Sequence, residues 1–424
     1  MTQKSLIERD RACTWHPYTQ HGLGRDPMEV ASAKDATLTL TDGREVIDAI
    51  SSWWAILHGH GDPVLIEAAR QQFETLDHVL FAGATHEPAV RLAERLVEVT
   101  PEGLDRVFYS DNGSTAVEVA LKIALQNFAQ NGQPERQVFI ALKGAYHGDT
   151  FGSMSVGDPD PFFEAYKPFL FNCVRIDPTA EALQQAFEQL GGRAAGVIVE
   201  PLIQGAAGMR TNSVEFLQSV RQQCDRNGVP FIADEVMTGF GRTGSLFACE
   251  RAGVSPDLMC LAKGLTGGIF PLSATVVSDE LFQGFFSKDR NRTFFHGHTF
   301  TAHPVGCAVA LASLKLNIER RVPDRLQALG ERMRARLQPL ETHPGVSQLR
   351  QVGGMVAWDL VGSKTKDAGY LSQVGPALHQ ASLDLGVLLR PLGNVVYALP
   401  PACTTDAQAD QIADTMLSLA ERFA

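Results

Sequence analysis

Two short apolar runs, each of strand length and each ending at a charge, constrain this chain more than any other feature. Gly228 to Gly244 reads GVPFIADEVMTGFGRTG, and Pro256 to Gly268 reads PDLMCLAKGLTGG. Apolar runs bounded by turn formers are the pattern of strands buried on both faces of a parallel sheet. Asp234 closes the first run and Lys263 follows the second. A charge in that place falls at the carboxyl edge of the sheet, where open α/β folds bind their ligands.

A lysine stripped of water gives up its proton readily and becomes a nucleophile for aldehydes. An ionised carboxylate nearby keeps a heterocyclic nitrogen protonated. Together these are a protein's share of pyridoxal 5'-phosphate chemistry: the lysine for the Schiff base, the acid for the pyridinium. Spacing alone leaves a second reading open, an ordinary buried Asp–Lys ion pair.

The longer pattern separates the two. DEVxTGFGRTG followed by PDLxxLAKGLTGG resembles the signature of the class III pyridoxal-phosphate-dependent aminotransferases. The resemblance implies a type I α/β fold. A large domain with a mainly parallel central sheet would span 51–319, and a smaller α+β lobe would be built from 1–50 and 320–424. It implies that Lys263 carries the Schiff base, that Asp234 pairs with the pyridine nitrogen, and that Val236 packs on one face of the ring.

Composition narrows the field. At 424 residues the chain is long enough for two domains with a substantial core. A formal net charge of -11 argues against a nucleic-acid partner, which needs a basic stripe. No apolar run approaches the ~20 residues of a membrane span, and the opening MTQKSLIERDR does not read as a secretory signal. Seven scattered cysteines suit reduced thiols and a cytoplasmic setting. Two His-Gly-His stretches lack zinc spacing, so no metal is expected.

Read in order, Leu38 to Asp48 alternates around Asp42-Gly43 as a hairpin does. Trp53 and Trp54 are adjacent; from a strand they cannot both face one core, so one of them is expected to line a cleft. Amphipathic helices are expected over 63–74 and 87–98, and a strand over 107–110. A helix over 115–129 is apolar except for one stripe, Thr115, Glu118, Lys122 and Gln126. Gly113 and Ser114 precede it. They offer amides and a hydroxyl to an anion, or Ser114 simply caps the helix. Strands follow at 137–142 and 194–200, and a helix at 214–227.

Gly239-Phe-Gly-Arg-Thr-Gly244 matches a dinucleotide fingerprint but opens no clear helix, so NAD is not expected. Thr266-Gly267-Gly268 reads as a flexible turn. A long helix over 304–319 leads into a charged helical stretch, 320–341. Short strands are expected at 356–361, 386–389 and 395–399, and a final helix at 406–423. Arg390, just past one of these strands, can clamp a carboxylate or sit idle on the surface.

Three further stretches, Trp15 to Thr19, Ser51 to Ala55 and Leu388 to Tyr397, resemble one branch of the family, which aminates 8-amino-7-oxononanoate in biotin synthesis. That resemblance implies roles residue by residue. Tyr18, Trp53 and Tyr397 would line the substrate pocket, and Arg390 would bind the substrate carboxylate. Tyr146 would stack on the cofactor ring and touch substrate; Gly113 and Ser114 would bind its phosphate. Gly297, His298 and Thr299 would act across a homodimer interface, the first on substrate, the other two on phosphate. Some relatives carry proline where His298 stands. Glu200 resembles an acid near the ring and takes no role here. The donor would be S-adenosylmethionine or lysine. Competing expectations are another class III enzyme acting on an ω-amino acid with pyruvate or 2-oxoglutarate, and a catalytically silent binder of the same fold.

Overall fold

The computed structural model describes residues 4–160, 163–361 and 369–424. Three short strands open the chain: β1 (Val30–Lys34), β2 (Thr37–Leu40) and β3 (Glu45–Asp48). Next come β4 (Arg106–Ser110), β5 (Val138–Leu142), β6 (Cys173–Ile176) and β7 (Ala194–Val199). A two-residue pair, β8 (Ile203–Gln204) and β9 (Arg210–Thr211), precedes β10 (Phe231–Asp234), β11 (Leu258–Leu261) and β12 (Ser273–Val277). The last four are β13 (Val346–Val352), β14 (Met355–Leu360), β15 (Val387–Leu388) and β16 (Val395–Ala398).

The central sheet has seven strands in the order β4-β12-β11-β10-β7-β5-β6. Only β12 runs against the rest; it pairs antiparallel with both β11 and β4. All residues of β7, β10 and β11 are buried, because helices cover both faces of the sheet. Gly113–Gln130 packs on β11 and β12, while Ala180–Leu190 and Val214–Asn227 pack on each other, the first against β5 and β6 and the second against β7 and β10. Each helix is punctuated locally. The Ser213 hydroxyl accepts the Phe216 amide at one end of Val214–Asn227, and Gly228, in the left-handed region, ends it three residues before β10 begins at Phe231.

Both ends of the chain meet in a second sheet. β1, β2 and β3 form an antiparallel ladder around the Asp42-Gly43 turn, and β15 adds to β3 in parallel, with Val387 opposite Ile47. β13, β14 and β16 form a third, antiparallel sheet.

The expected elements are present, with boundaries moved by a residue or two, and four differences have physical causes. The helix at 115 starts earlier, at Gly113, because Asn112 is its cap: the Asn112 side-chain oxygen Oδ1 accepts the Thr115 amide. Its polar stripe is only partly wet: Lys122 is exposed and Thr115, Glu118 and Gln126 are half-buried, and most of it also bonds neighbouring segments. Glu118 accepts the amides of Gly152 and Ser153, Lys122 bonds His296, and Gln126 donates to the Thr293 carbonyl. The charged stretch after 320 breaks into Val322–Arg336 and a 3-10 turn, Gln338–Thr342, where Pro339 has no amide to continue the helix. Thr266-Gly267-Gly268 is not a loose turn. Thr266 is buried, and a Cβ on Gly268 would stand 2.6 Å from the Ala55 carbonyl carbon, so this close approach requires glycine.

Candidate active site

Six of the seven central strands point their carboxyl ends at one edge, and a pocket of about 610 Å³ lies there. β10 ends in Asp234 and β11 stops two residues short of Lys263. β7 ends beside Glu200, β5 feeds Tyr146 and His147, and β4 feeds the start of the helix at Gly113. The topology, rather than any local segment, gathers these side chains.

Lys263 sits in the left-handed region, with φ of 48°, immediately past the sheet. A non-glycine residue held there costs of order 1–3 kcal/mol, a strain common at functional positions. Its ammonium nitrogen lies 4.6 Å from the centre of the Trp54 ring. Burial pulls its pKa from the ordinary 10.5 down to about 8; Asp234 and Glu200 oppose the fall and Arg242 adds to it. Burial pushes the Glu200 carboxyl up to about 7, and Asp234 adds to that, against His147 and the amides of Tyr146 and Gly205. Asp234 is held on one side by the Val236 amide at 3.1 Å and on the other by the His147 Nδ1 at 2.6 Å.

Sequence reasoning missed His147. A lone histidine past a strand carries no signal until the fold sets it against Asp234. Its other ring nitrogen is buried and has no partner among the described residues. It missed Asp149 too. The Tyr18 hydroxyl donates to Asp149 at 2.8 Å and the Tyr146 hydroxyl does so at 3.1 Å. Burial raises both phenols, so they keep their protons at neutral pH and act as donors.

The two tryptophans differ from expectation most. Ser51, Ser52, Trp53 and Trp54 have φ of 51°, 44°, 70° and 70°, so four successive non-glycine residues wind left-handed. Such a turn costs roughly 1–2 kcal/mol per residue. It is closed by the Trp54 amide on the Ile50 carbonyl at 2.8 Å. In this geometry both rings reach the pocket. Trp54 meets Lys263, while Trp53 lies under Arg390, whose guanidinium carbon is 4.2 Å from the ring centre. Arg390 also donates to the Tyr370 hydroxyl at 3.0 Å, so it is built into the site rather than idle.

Of the remaining expected residues, Tyr18, Gly113, Ser114, Tyr146 and Val236 border the pocket. A Cβ on Gly113 would stand 2.7 Å from a Val236 methyl, so the helix start and Val236 touch only because residue 113 is glycine. With Asn112 capping the helix, the Ser114 hydroxyl is released toward the pocket, where it accepts the Asp149 amide. Tyr397 is a correction. It is fully buried behind Trp54, accepting its indole N–H at 3.0 Å, and does not border the pocket. Gly297, His298 and Thr299 do not border this chain's pocket either; His298 Nε2 lies 3.9 Å from a carboxylate oxygen of Asp111, which does.

The residues present suit pyridoxal phosphate. A lysine with a lowered pKa, a carboxylate clamped by a histidine, a helix start with glycine and serine, and an aliphatic and an aromatic side chain on the walls are what its aldehyde, ring nitrogen, phosphate and ring faces require.

The lysine also makes a pH prediction. Below about pH 8 Lys263 is protonated and cannot attack an aldehyde, and each further unit removes about nine-tenths of the free amine. The rate at which cofactor-free protein captures pyridoxal phosphate, followed by absorbance, should rise about tenfold per unit below pH 7 and level above about pH 8. A rise continuing toward the ordinary lysine value would contradict this environment for Lys263.

The comparisons agree with the geometry. Residues 19–419 match the family model described as aminotransferase class III. A relative from Synechococcus elongatus, named adenosylmethionine-8-amino-7-oxononanoate aminotransferase, is 48% identical over 94% of this chain and 96% of its own. The crystal structure of a protein of that name from Methanocaldococcus jannaschii superposes with a TM-score of 0.94 at 33% identity, covering 99% of both chains. An amine transaminase from an uncultivated Pseudomonas species, solved in its pyridoxal-phosphate-bound form, gives a TM-score of 0.91 at 30% identity, over 97% of this chain and 98% of that one. The architecture is thus that of the type I pyridoxal-phosphate transferases. Within it, the chain belongs to the class III aminotransferase family and is a pyridoxal-phosphate-dependent aminotransferase.

Proposed function

We propose that this chain transfers an amino group to 8-amino-7-oxononanoate, giving 7,8-diaminononanoate for biotin synthesis, with S-adenosylmethionine as donor. The observation that carries the reading is the pairing of two cations with two adjacent aromatic rings, Lys263 over Trp54 and Arg390 over Trp53. One end of the pocket holds a reactive amine and the other a carboxylate clamp, with aromatic surface between them. A substrate with a ketone, a long apolar chain and a terminal carboxylate fits that order. The names borne by relatives at 38–48% identity point to the same acceptor.

Each residue would then have a task. Asp234, steadied by His147, would hold a proton on the cofactor's ring nitrogen, with Val236 and Tyr146 on the two ring faces. Gly113 and Ser114 would receive the phosphate. When bound, pyridoxal phosphate supplies the electron sink that loosens a proton on the amine-bearing carbon. Lys263 takes that proton and returns it, as general base and then general acid, and a pKa near 8 suits both tasks. Arg390 would grip the acceptor's carboxylate in bidentate fashion. Tyr18 and Trp53 would wall its chain.

The same proposal makes the active unit a homodimer, with Gly297, His298 and Thr299 completing the partner's site. Phe295 and Phe300, which flank that loop, are 77% and 54% exposed, apolar surface that a second copy would cover. It also takes 51–319 as the cofactor-binding domain, with 1–50 and 320–424 forming the small lobe; the parallel pairing of β15 with β3 supports the union of the two ends. A cytoplasmic setting is included, in keeping with seven free cysteines. Among the described residues no helix is long and apolar enough to cross a membrane.

A donor and acceptor panel tests the reading. Purified protein given 8-amino-7-oxononanoate should form 7,8-diaminononanoate with S-adenosylmethionine and not with lysine. Efficient use of ornithine or 4-aminobutyrate with 2-oxoglutarate, and none of the oxononanoate, would overturn it.

A further inference from the structure

The left-handed turn Ser51–Trp54 is uphill for its own residues, and two buried charges grip it from opposite sides. Asp48, the last residue of β3, is fully buried. One of its carboxylate oxygens accepts the amides of Ile50 at 3.3 Å and Ser52 at 2.9 Å. The other accepts the Ser52 hydroxyl at 2.8 Å and the His60 ring at 2.9 Å. Arg242, also buried, comes from the Gly239–Gly244 stretch that matches a dinucleotide fingerprint. It donates to the Ser51 hydroxyl at 3.1 Å, to the carbonyls of Trp54 at 3.1 Å and Ile56 at 3.0 Å, and to that of Pro400 at 3.1 Å.

Neither charge borders the pocket. Yet the turn they hold carries Trp54 to Lys263 and Trp53 to Arg390. The glycines around Arg242 serve its delivery. Gly241 has φ of +102°, and a Cβ there would stand 3.1 Å from the Pro323 nitrogen. The motif is thus an arginine-delivery loop.

We infer that Asp48 and Arg242 are positioning residues that lock the Ser51–Trp54 turn as a spacer between the reactive amine and the carboxylate clamp, and so set the chain length of the acid the enzyme accepts. This rests on the acceptor assigned above. A turn that must be held against its own preference gives one fixed spacing, because the two anchors leave no alternative winding. Without an anchor the turn relaxes toward right-handed or extended backbone, and both rings leave their cations.

Asp48→Asn keeps the shape but weakens the charge-assisted bonds, and Arg242→Lys keeps the charge but cannot span four oxygens. In each variant, loaded with cofactor, KM for 8-amino-7-oxononanoate should rise about tenfold or more, the scale of losing one such bond. In the same variants kcat should stay within about threefold, and the preference over acids two methylenes shorter should flatten. A purely structural role would instead lower kcat and stability alike and leave chain-length preference intact, which would overturn the inference. Tryptophan emission of the cofactor-free variants gives a second readout. It should shift to the red, and most of the shift should be lost in a Trp54→Phe background, since Trp54 is the buried one of the two rings; unchanged emission would count against the anchors. If either variant fails to fold, Ser52→Ala removes the hydroxyl bond to Asp48 and the longer one to the His60 ring, and should reproduce the KM effect at about two- to threefold. If the wild type ignores the acceptor altogether, the proposed function is what fails, and the emission readout still decides the anchors.

Discussion

Lys263→Ala is expected to lower kcat by about ten-thousandfold or more while leaving the protein folded. The loss is that large because one amine holds the cofactor's aldehyde, removes the proton and returns it. The truncation also takes a cation from beside Asp234 and Glu200, both of which interact with it electrostatically. The Glu200 carboxyl, already pushed up to about 7, should then titrate higher still, so the variant buries no uncompensated charge there at neutral pH. Steady-state kinetics beside circular dichroism check the prediction. Near wild-type turnover from a folded Lys263→Ala protein would remove the assignment.

The second large effect is at the other end of the pocket. Arg390→Ala should cut kcat/KM for 8-amino-7-oxononanoate by about a hundredfold to a thousandfold, the cost of leaving a carboxylate without its partner in a partly desolvated site. The loss should fall mainly on KM. The methyl ester of the same acceptor supplies the control. Wild type should use it poorly, and the variant should use acid and ester almost equally, because both then lack a charged clamp. A variant that still prefers the acid by the wild-type margin would place the carboxylate elsewhere.

How much of this was legible in the chain divides along one physical line. Asp234 and Lys263 stood out because a charge at the end of a buried apolar run is costly, and only a site or an ion pair explains it. The hairpin around Asp42-Gly43 and the helix Val214–Asn227 were readable because turn residues, caps and periodicity act locally. The antiparallel β12 gave no such signal, since its short apolar run says nothing of direction. His147 and Asp149 became visible only once the sheet edge brought distant segments together.

The tryptophan turn was illegible for a stronger reason. No local propensity favours four left-handed non-glycine residues in a row; the conformation is imposed from outside by Asp48 and Arg242. The reading of Tyr397 failed alongside it. With Trp54 turned toward the pocket, the tyrosine behind it becomes a support for the indole rather than a wall.

The most direct test adds pyridoxal phosphate to cofactor-free protein, treats it with borohydride and maps the labelled peptide. The result expected is one equivalent of label per chain, on Lys263 alone. Protein that stays colourless, or a label carried by any other lysine, would contradict the account.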